Sequence, residues 1–160
     1  MPAAAADLSA LRSRLRALER GGAVMERSAV KLGDPALDKA LPWGGLARGG
    51  VHQLEGLAGE ASVSGFAAGL AARCTGPEGR LLWLRLRRDR QEAGLPYGPG
   101  LARYGIATDR LILAEADSAA ALLWALEEAL RCGALSVALA EGVAPDLTAS
   151  RRLQLAAEAS

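Results

Sequence analysis

Apolar residues in this chain fall in short runs set between turns rich in glycine and proline, and the runs alternate between helical and strand-like spacing. Leu8, Leu11, Leu15 and Leu18 make one helical stripe over residues 7–20, with Asp7 as a cap at the start and Gly21-Gly22 as the stop. Arg12, Arg14, Arg16 and Arg20 lie largely off that stripe. After a turn at 33–35 a short helix ends near Pro42, and Trp43 beside Gly44-Gly45 reads as a plug in the core. Residues 51–55 read as a short strand ending at Gly56, and 66–73 as a helix. A turn at 76–79 leads into a strand at 80–86 that is apolar on both faces, as buried parallel strands are. Residues 94–100 read as a loop, 101–104 as a helical turn and 110–115 as a further strand. Asp117-Ser118 then caps the clearest helix, with Leu122, Leu123, Leu126, Ala129 and Leu130 on one face and Gly133 as its stop. A fourth strand at 135–140 ends at Glu141, and a last helix at 147–159 carries Leu153 and Ala157 on one side.

Strands alternating with helices predict an α/β fold with a mostly parallel sheet. Ligands of such sheets bind at the carboxyl ends of the strands. Those ends carry residues 56–64, 85–90, 115–117 and Glu141.

Composition narrows the picture. The chain has 160 residues, about one domain, and 51% of them are hydrophobic, so a packed core is expected and disorder is not. A net charge of +1 argues against a general polyanion binder. Of the 19 basic residues only Lys31 and Lys39 are lysines. Cys74 and Cys132 are too few for a disulfide framework, and His52 is the only histidine, so no metal site is predicted. The alanine run at 3–6 lacks the features of a secretory signal, and no apolar stretch reaches the ~20 residues of a membrane span. A cytoplasmic protein with no membrane contact is expected.

The strand, glycine turn and helix around Gly56 have the frame of a phosphate-binding P-loop, G-x-x-x-x-G-K-[ST]. Counted from Gly56, Ala61 stands for the second glycine, Ser62 for the lysine and Val63 for the hydroxyl residue. No lysine follows Lys39, and Ser62 or Ser64 could hold Mg²⁺ only with a shifted loop register. Backbone N–H groups from Gly59 to Ser62 still favour an anion. Arg85, Arg87, Arg88 and Arg90 either form a solvated strand end or supply the missing positive charge as an anion site.

Leu37-Asp38, Ala40-Leu41, Gly44-Gly45-Leu46, Gly49 and Gly56 are spaced as in the opening of the ATPase core of RecA-type recombinases. Together with the runs at 98–105 and 151–158, this stretch resembles the ImuA family, RecA-like accessory proteins of the bacterial mutagenesis cassette that DNA damage induces in the SOS response. The resemblance covers roughly residues 27–160. It implies an N-terminal helix and linker at 1–26 and a RecA-like P-loop core at 27–160.

Within that resemblance Glu141 holds the place of the acid that ends the Walker B strand, and Arg87 the place of the glutamate that activates water. An arginine is protonated at every working pH and cannot act as a general base. The resemblance therefore implies no catalytic residue and no hydrolysis. Weak binding of ATP or another anion stays allowed through Gly56, Gly59, Ala61, Ser62, Ser64 and Glu141, and no cofactor is expected. The partners it implies are proteins: the Y-family-like ImuB, an error-prone replicative-type polymerase, RecA or a second copy. The leucine stripe Leu8, Leu11, Leu15 and Leu18 is expected to dock on such a partner in preference to packing on its own domain.

DNA contact is expected only indirectly. The five residues 142–146 between Glu141 and the last helix are too few for a DNA-gripping loop, and no stretch interleaves aromatic with basic residues. Two other functions stay open: a nucleotide-dependent ATPase with a rearranged P-loop, and a SulA-like cell-division inhibitor. The resemblance also implies that the core is incomplete after the Walker B strand and the following helix. Either residues 135–140 then pair directly with 51–55, or the sheet keeps an open slot.

Overall fold

The computed structural model describes residues 28–56 and 61–160. The leucine stripe Leu8, Leu11, Leu15 and Leu18 and the expected anion-binding Gly59 lie outside the described residues.

The fold is built on β3 (Leu81–Leu86), every residue of which is buried. Its two neighbours are parallel to it: β4 (Leu111–Ala116) pairs along its whole length, from Leu81↔Leu111 to Leu86↔Ala116. On the other side β5 (Val137–Ala140) pairs from Leu81↔Val137 to Leu84↔Ala140. The period of two along the strands sorts their side chains between two helical layers. Leu81 and Trp83 meet Ala68 and Ala71 of α2 (Ala61–Thr75), whose small side chains let helix and sheet approach closely. Leu82, Leu84 and Leu86 meet Leu122 of α5 (Ala119–Arg131) on the opposite face. The Ser118 hydroxyl caps α5 by accepting from the Ala121 N–H. The last helix, α6 (Leu147–Glu158), buries Leu153, Ala156 and Ala157. It is tied to α5 where Arg152 pairs with the buried Glu127, which Arg131 also holds. This is the expected α/β class with a parallel sheet, here of three strands in the order β4-β3-β5.

Ahead of this core, β1 (Ala29–Val30) and β2 (Leu46–Ala47) form a small antiparallel pair that the sequence pattern did not predict, each strand being only two residues long. Between them α1 (Pro35–Ala40) starts at Asp34, whose side chain accepts from the Ala36 and Leu37 N–H groups. Glycine is required at Gly45, where a Cβ would lie 2.5 Å from the Val30 carbonyl oxygen.

Four expectations change. Residues 51–56 form no strand and are exposed, because among the described residues no strand lies beside them to complete a ladder. The Val51 N–H instead donates to Gln154 Oε1 of α6 at 3.1 Å, and the His52 ring bonds the Ala47 carbonyl at 2.8 Å. Trp43 is no core plug: it is 46% exposed, on a turn that precedes the main sheet. The arginines after β3 are no strand end, since α3 (Arg87–Ala93) begins immediately. Within the span expected as a loop, α4 (Gly98–Arg103) opens at Gly98.

Of the two arrangements expected for the sheet, direct pairing of 135–140 with 51–55 is not formed, which leaves a slot among the described residues. β5 pairs only with β3 among the described strands, and a cavity of about 550 Å³ lies between its other edge and residues 46–54.

Candidate functional site at the carboxyl ends of the strands

Parallel register delivers the chemistry to one end of the sheet. Leu84 on β3 faces Ala140 on β5, so one step further along each strand brings Arg85 beside Glu141. Arg85 Nε donates to Glu141 Oε2 at 2.8 Å, and Trp83 Nε1 donates to the same oxygen at 3.3 Å. The other carboxylate oxygen accepts from the Ser64 hydroxyl on the first turn of α2. The Arg85 side chain is 8% exposed and that of Glu141 26%. A guanidinium this buried needs acceptors for its remaining N–H groups, and Nη1 finds the Gly94 carbonyl at 2.7 Å. Gly142 follows with φ 79°, and a Cβ there would run into the Asp89 carboxylate.

The neighbouring arginines are also matched by acids. Arg87 pairs with Asp117 at 3.1 Å, Arg88 with Asp89 at 3.5 Å and Arg90 with Glu115 at 3.6 Å. Each of the four arginines considered as an anion site thus has a carboxylate neighbour, and all but Arg85 are largely exposed. Of the two readings left open for this run, the one that supplies positive charge to an anion meets a carboxylate beside each arginine.

The structure thus brings together Ser64, Arg85 and Glu141, with Arg87, Arg88 and Arg90 on the adjoining helix α3. Ala61 and Ser62 stand with Ser64 in the first turn of α2, while Gly56 ends the irregular stretch before it. Trp83 and Gly94, which carry no sequence signal for this site, complete the arrangement with the acids Asp89, Glu115 and Asp117 of the strand-end segments 85–90 and 115–117. A signal for the central pair was present: opposite charges just past the ends of two apolar strands meet when those strands are parallel neighbours. Cys74, half-buried on α2, has its thiol pKa pushed up by desolvation, with Arg48 acting in the opposite sense.

A three-stranded parallel α/β sheet whose end carries a buried arginine–glutamate pair is the class that fold and site define. No protein-family model matches the chain. Protein ImuA of Caulobacter vibrioides, from strain NA1000 / CB15N and from strain ATCC 19089 / CIP 103742 / CB 15, is 37% identical over 134 residues, 81% of this chain and 52% of the relative. Over that stretch the chain is ImuA-like, and it spans about half the length of the curated relatives it matches. Among solved structures, SulA from Pseudomonas aeruginosa is similar at 26% identity over 66% of this chain and 84% of that one, with a TM-score of 0.49, a likeness too loose to assign fold or function.

Proposed function

We propose that the chain is a non-catalytic, RecA-like adaptor of the ImuA kind, supporting error-prone translesion synthesis after DNA damage through contacts with cassette proteins. The partners in this reading are the Y-family-like ImuB, the error-prone replicative-type polymerase, and RecA or a second copy. The observation that carries it is the state of Glu141. An acid that serves a nucleotide-bound Mg²⁺ must be anionic and open to the metal. Here its Oε2 is held by the Arg85 guanidinium at 2.8 Å and its Oε1 by Ser64. A fixed cation at that distance competes for the carboxylate and repels a divalent ion. Ser62 at the lysine place and Arg87 at the glutamate place support the same reading. The 37% identity to Protein ImuA supports the pathway.

Two measurements test it. Purified protein with ATP and Mg²⁺ should release no phosphate above background, with or without single-stranded DNA. Turnover that disappears on Glu141→Ala would sink the adaptor reading. In cells, deleting the gene should lower damage-induced mutation frequency, and Leu11→Asp with Leu15→Asp should fail to restore it while the protein stays folded. Full restoration by that double variant would move the docking surface away from the leucine stripe.

A further inference from the structure

The chain carries three tryptophans, two tyrosines and one phenylalanine, and of these only Trp83 is buried. Three of the exposed rings, Phe66, Tyr97 and Tyr104, belong to α2 and to the two ends of α4. Those helices share one face of the sheet, since Leu101 of α4 packs into the cluster of Ala68, Ala71, Leu81 and Trp83. Tyr104 and two glycines make the seam between them. A Cβ on Gly65 would come 3.0 Å from the Tyr104 hydroxyl, and one on Gly69 3.8 Å from its ring. Tyr104 nevertheless stays about half exposed, as do Phe66 beside Gly65 and Leu95 ahead of α4. Tyr97 is 74% exposed, with its ring by Gly100. The loop that presents Leu95 and Tyr97 is fixed at its start, because the buried Arg85 donates to the Gly94 carbonyl at 2.7 Å. Rings held on a fixed backbone lose little entropy on binding, which suits them as anchors.

Area and charge together select the occupant. Four side chains exposed to this extent present roughly 400 Å² of apolar surface, about half of what each partner buries in a standard interface. That is small for a second copy or a folded domain and sufficient for one short segment. Residues 61–75 and 94–104 contain no aspartate or glutamate, and their only charged residues are Arg73 and Arg103, both exposed. Arg103 adjoins Tyr104, and Arg73 continues the line of Phe66 and Gly69 along α2. Apolar surface flanked by these cations is complementary to an acidic segment. The same charges disfavour this chain's own leucine stripe, which comes with Arg12, Arg14, Arg16 and Arg20. They are too few for a single-stranded nucleic acid, whose binding neutralises several phosphates.

We propose that Phe66, Leu95, Tyr97 and Tyr104 form a docking surface for a short acidic segment of a partner protein. Its apolar side chains sit on the rings, and its carboxylates meet Arg73 and Arg103. The inference rests on the adaptor reading above and adds the surface and the chemistry of one contact. Phosphate release by the purified protein would sink that reading and leave the binding measurement below as it stands.

The test uses the 160-residue chain and a short synthetic peptide of leucine and phenylalanine set among aspartate and glutamate. A second peptide has lysine in place of every acid. The acidic peptide should bind about tenfold more tightly or better, and added salt should narrow the difference. Tyr97→Ala should weaken its binding about tenfold, and Arg103→Glu severalfold. Trp124→Ala, which removes an exposed ring from α5 on the opposite face, should change nothing. Should a variant unfold, hydroxyl-radical footprinting of the unaltered chain decides: Tyr97 and Tyr104 should react readily in the free chain and be shielded by the acidic peptide. The proposal is overturned if the two peptides bind alike, or if Trp124→Ala weakens binding as much as Tyr97→Ala. It is overturned equally if the rings are already shielded in the dilute chain, which would mean that residues 1–27 cover them. Shielding that rises with the chain's own concentration would overturn it in favour of a second copy. Oligo-dT that displaces the peptide and itself fails to bind Tyr97→Ala would overturn it in favour of a single strand.

Discussion

The two flanks of β3 are made of similar residues and pair with it over different lengths. On the β4 flank six residues pair in unbroken register. On the β5 flank four pair, and beyond them lies the slot. Leu122, which reaches the sheet from α5, is fully buried, while β5 stays half-buried throughout and β4 buries only Ala116. An apolar strand becomes core only when a ladder continues on both sides and helices cover both faces. The same contrast divides the charges: Arg85 is buried and bonded to Glu141, whereas Arg87 on the next helix is largely exposed beside Asp117.

The largest test of this contrast is Leu122→Ala, which leaves a cavity in a closed part of the core and should cost about 2–5 kcal/mol in urea unfolding. Leu139→Ala, beside the open slot, should cost clearly less, because solvent already reaches the site. Equal losses would mean that the slot is closed in solution.

Arg85→Ala comes next. It strips the cation from a carboxylate that Ser64 and Trp83 keep in place, and a loss of about 3 kcal/mol is expected, the lower end for a broken buried pair because Glu141 keeps some solvent contact. Arg87→Ala removes an exposed ion pair and should stay within about 1 kcal/mol. A large effect of Arg87→Ala on the melt would place it in the core of the site.

The smallest effect is chemical. Cys74 lines the slot, and desolvation raises its thiol pKa. A raised pKa leaves less thiolate at a given pH, so its labelling by a disulfide reagent should rise at higher pH than for an ordinary cysteine. Exposed Cys132 serves as the accessible control. Labelling of Cys74 that follows Cys132 at every pH would argue that its thiol is not desolvated.

Much of the framework was legible in the chain itself. The largely apolar run at 80–86 announced a buried strand, and Ser118 with the leucines behind it announced α5, because burial on two faces and helical periodicity are local patterns. The replaced residues at Ala61, Ser62 and Val63, and the identity of Arg87, are likewise facts of sequence. The residues at 51–55 read as a strand because they lead into a glycine turn and a helix, yet a strand exists only with a partner, and its partner is a matter of tertiary arrangement. Trp43 misled for a similar reason: its size favours burial, but it sits on a turn ahead of the main sheet. The arginines of 85–90 looked like one cluster, and only parallel register separated buried Arg85, facing Glu141, from its exposed neighbours paired with Asp117, Asp89 and Glu115. Sequence alone determined which groups were available, since residue type and local period suffice for that. The tertiary structure decided which groups meet, because ion pairs and strand ladders join residues far apart in the chain.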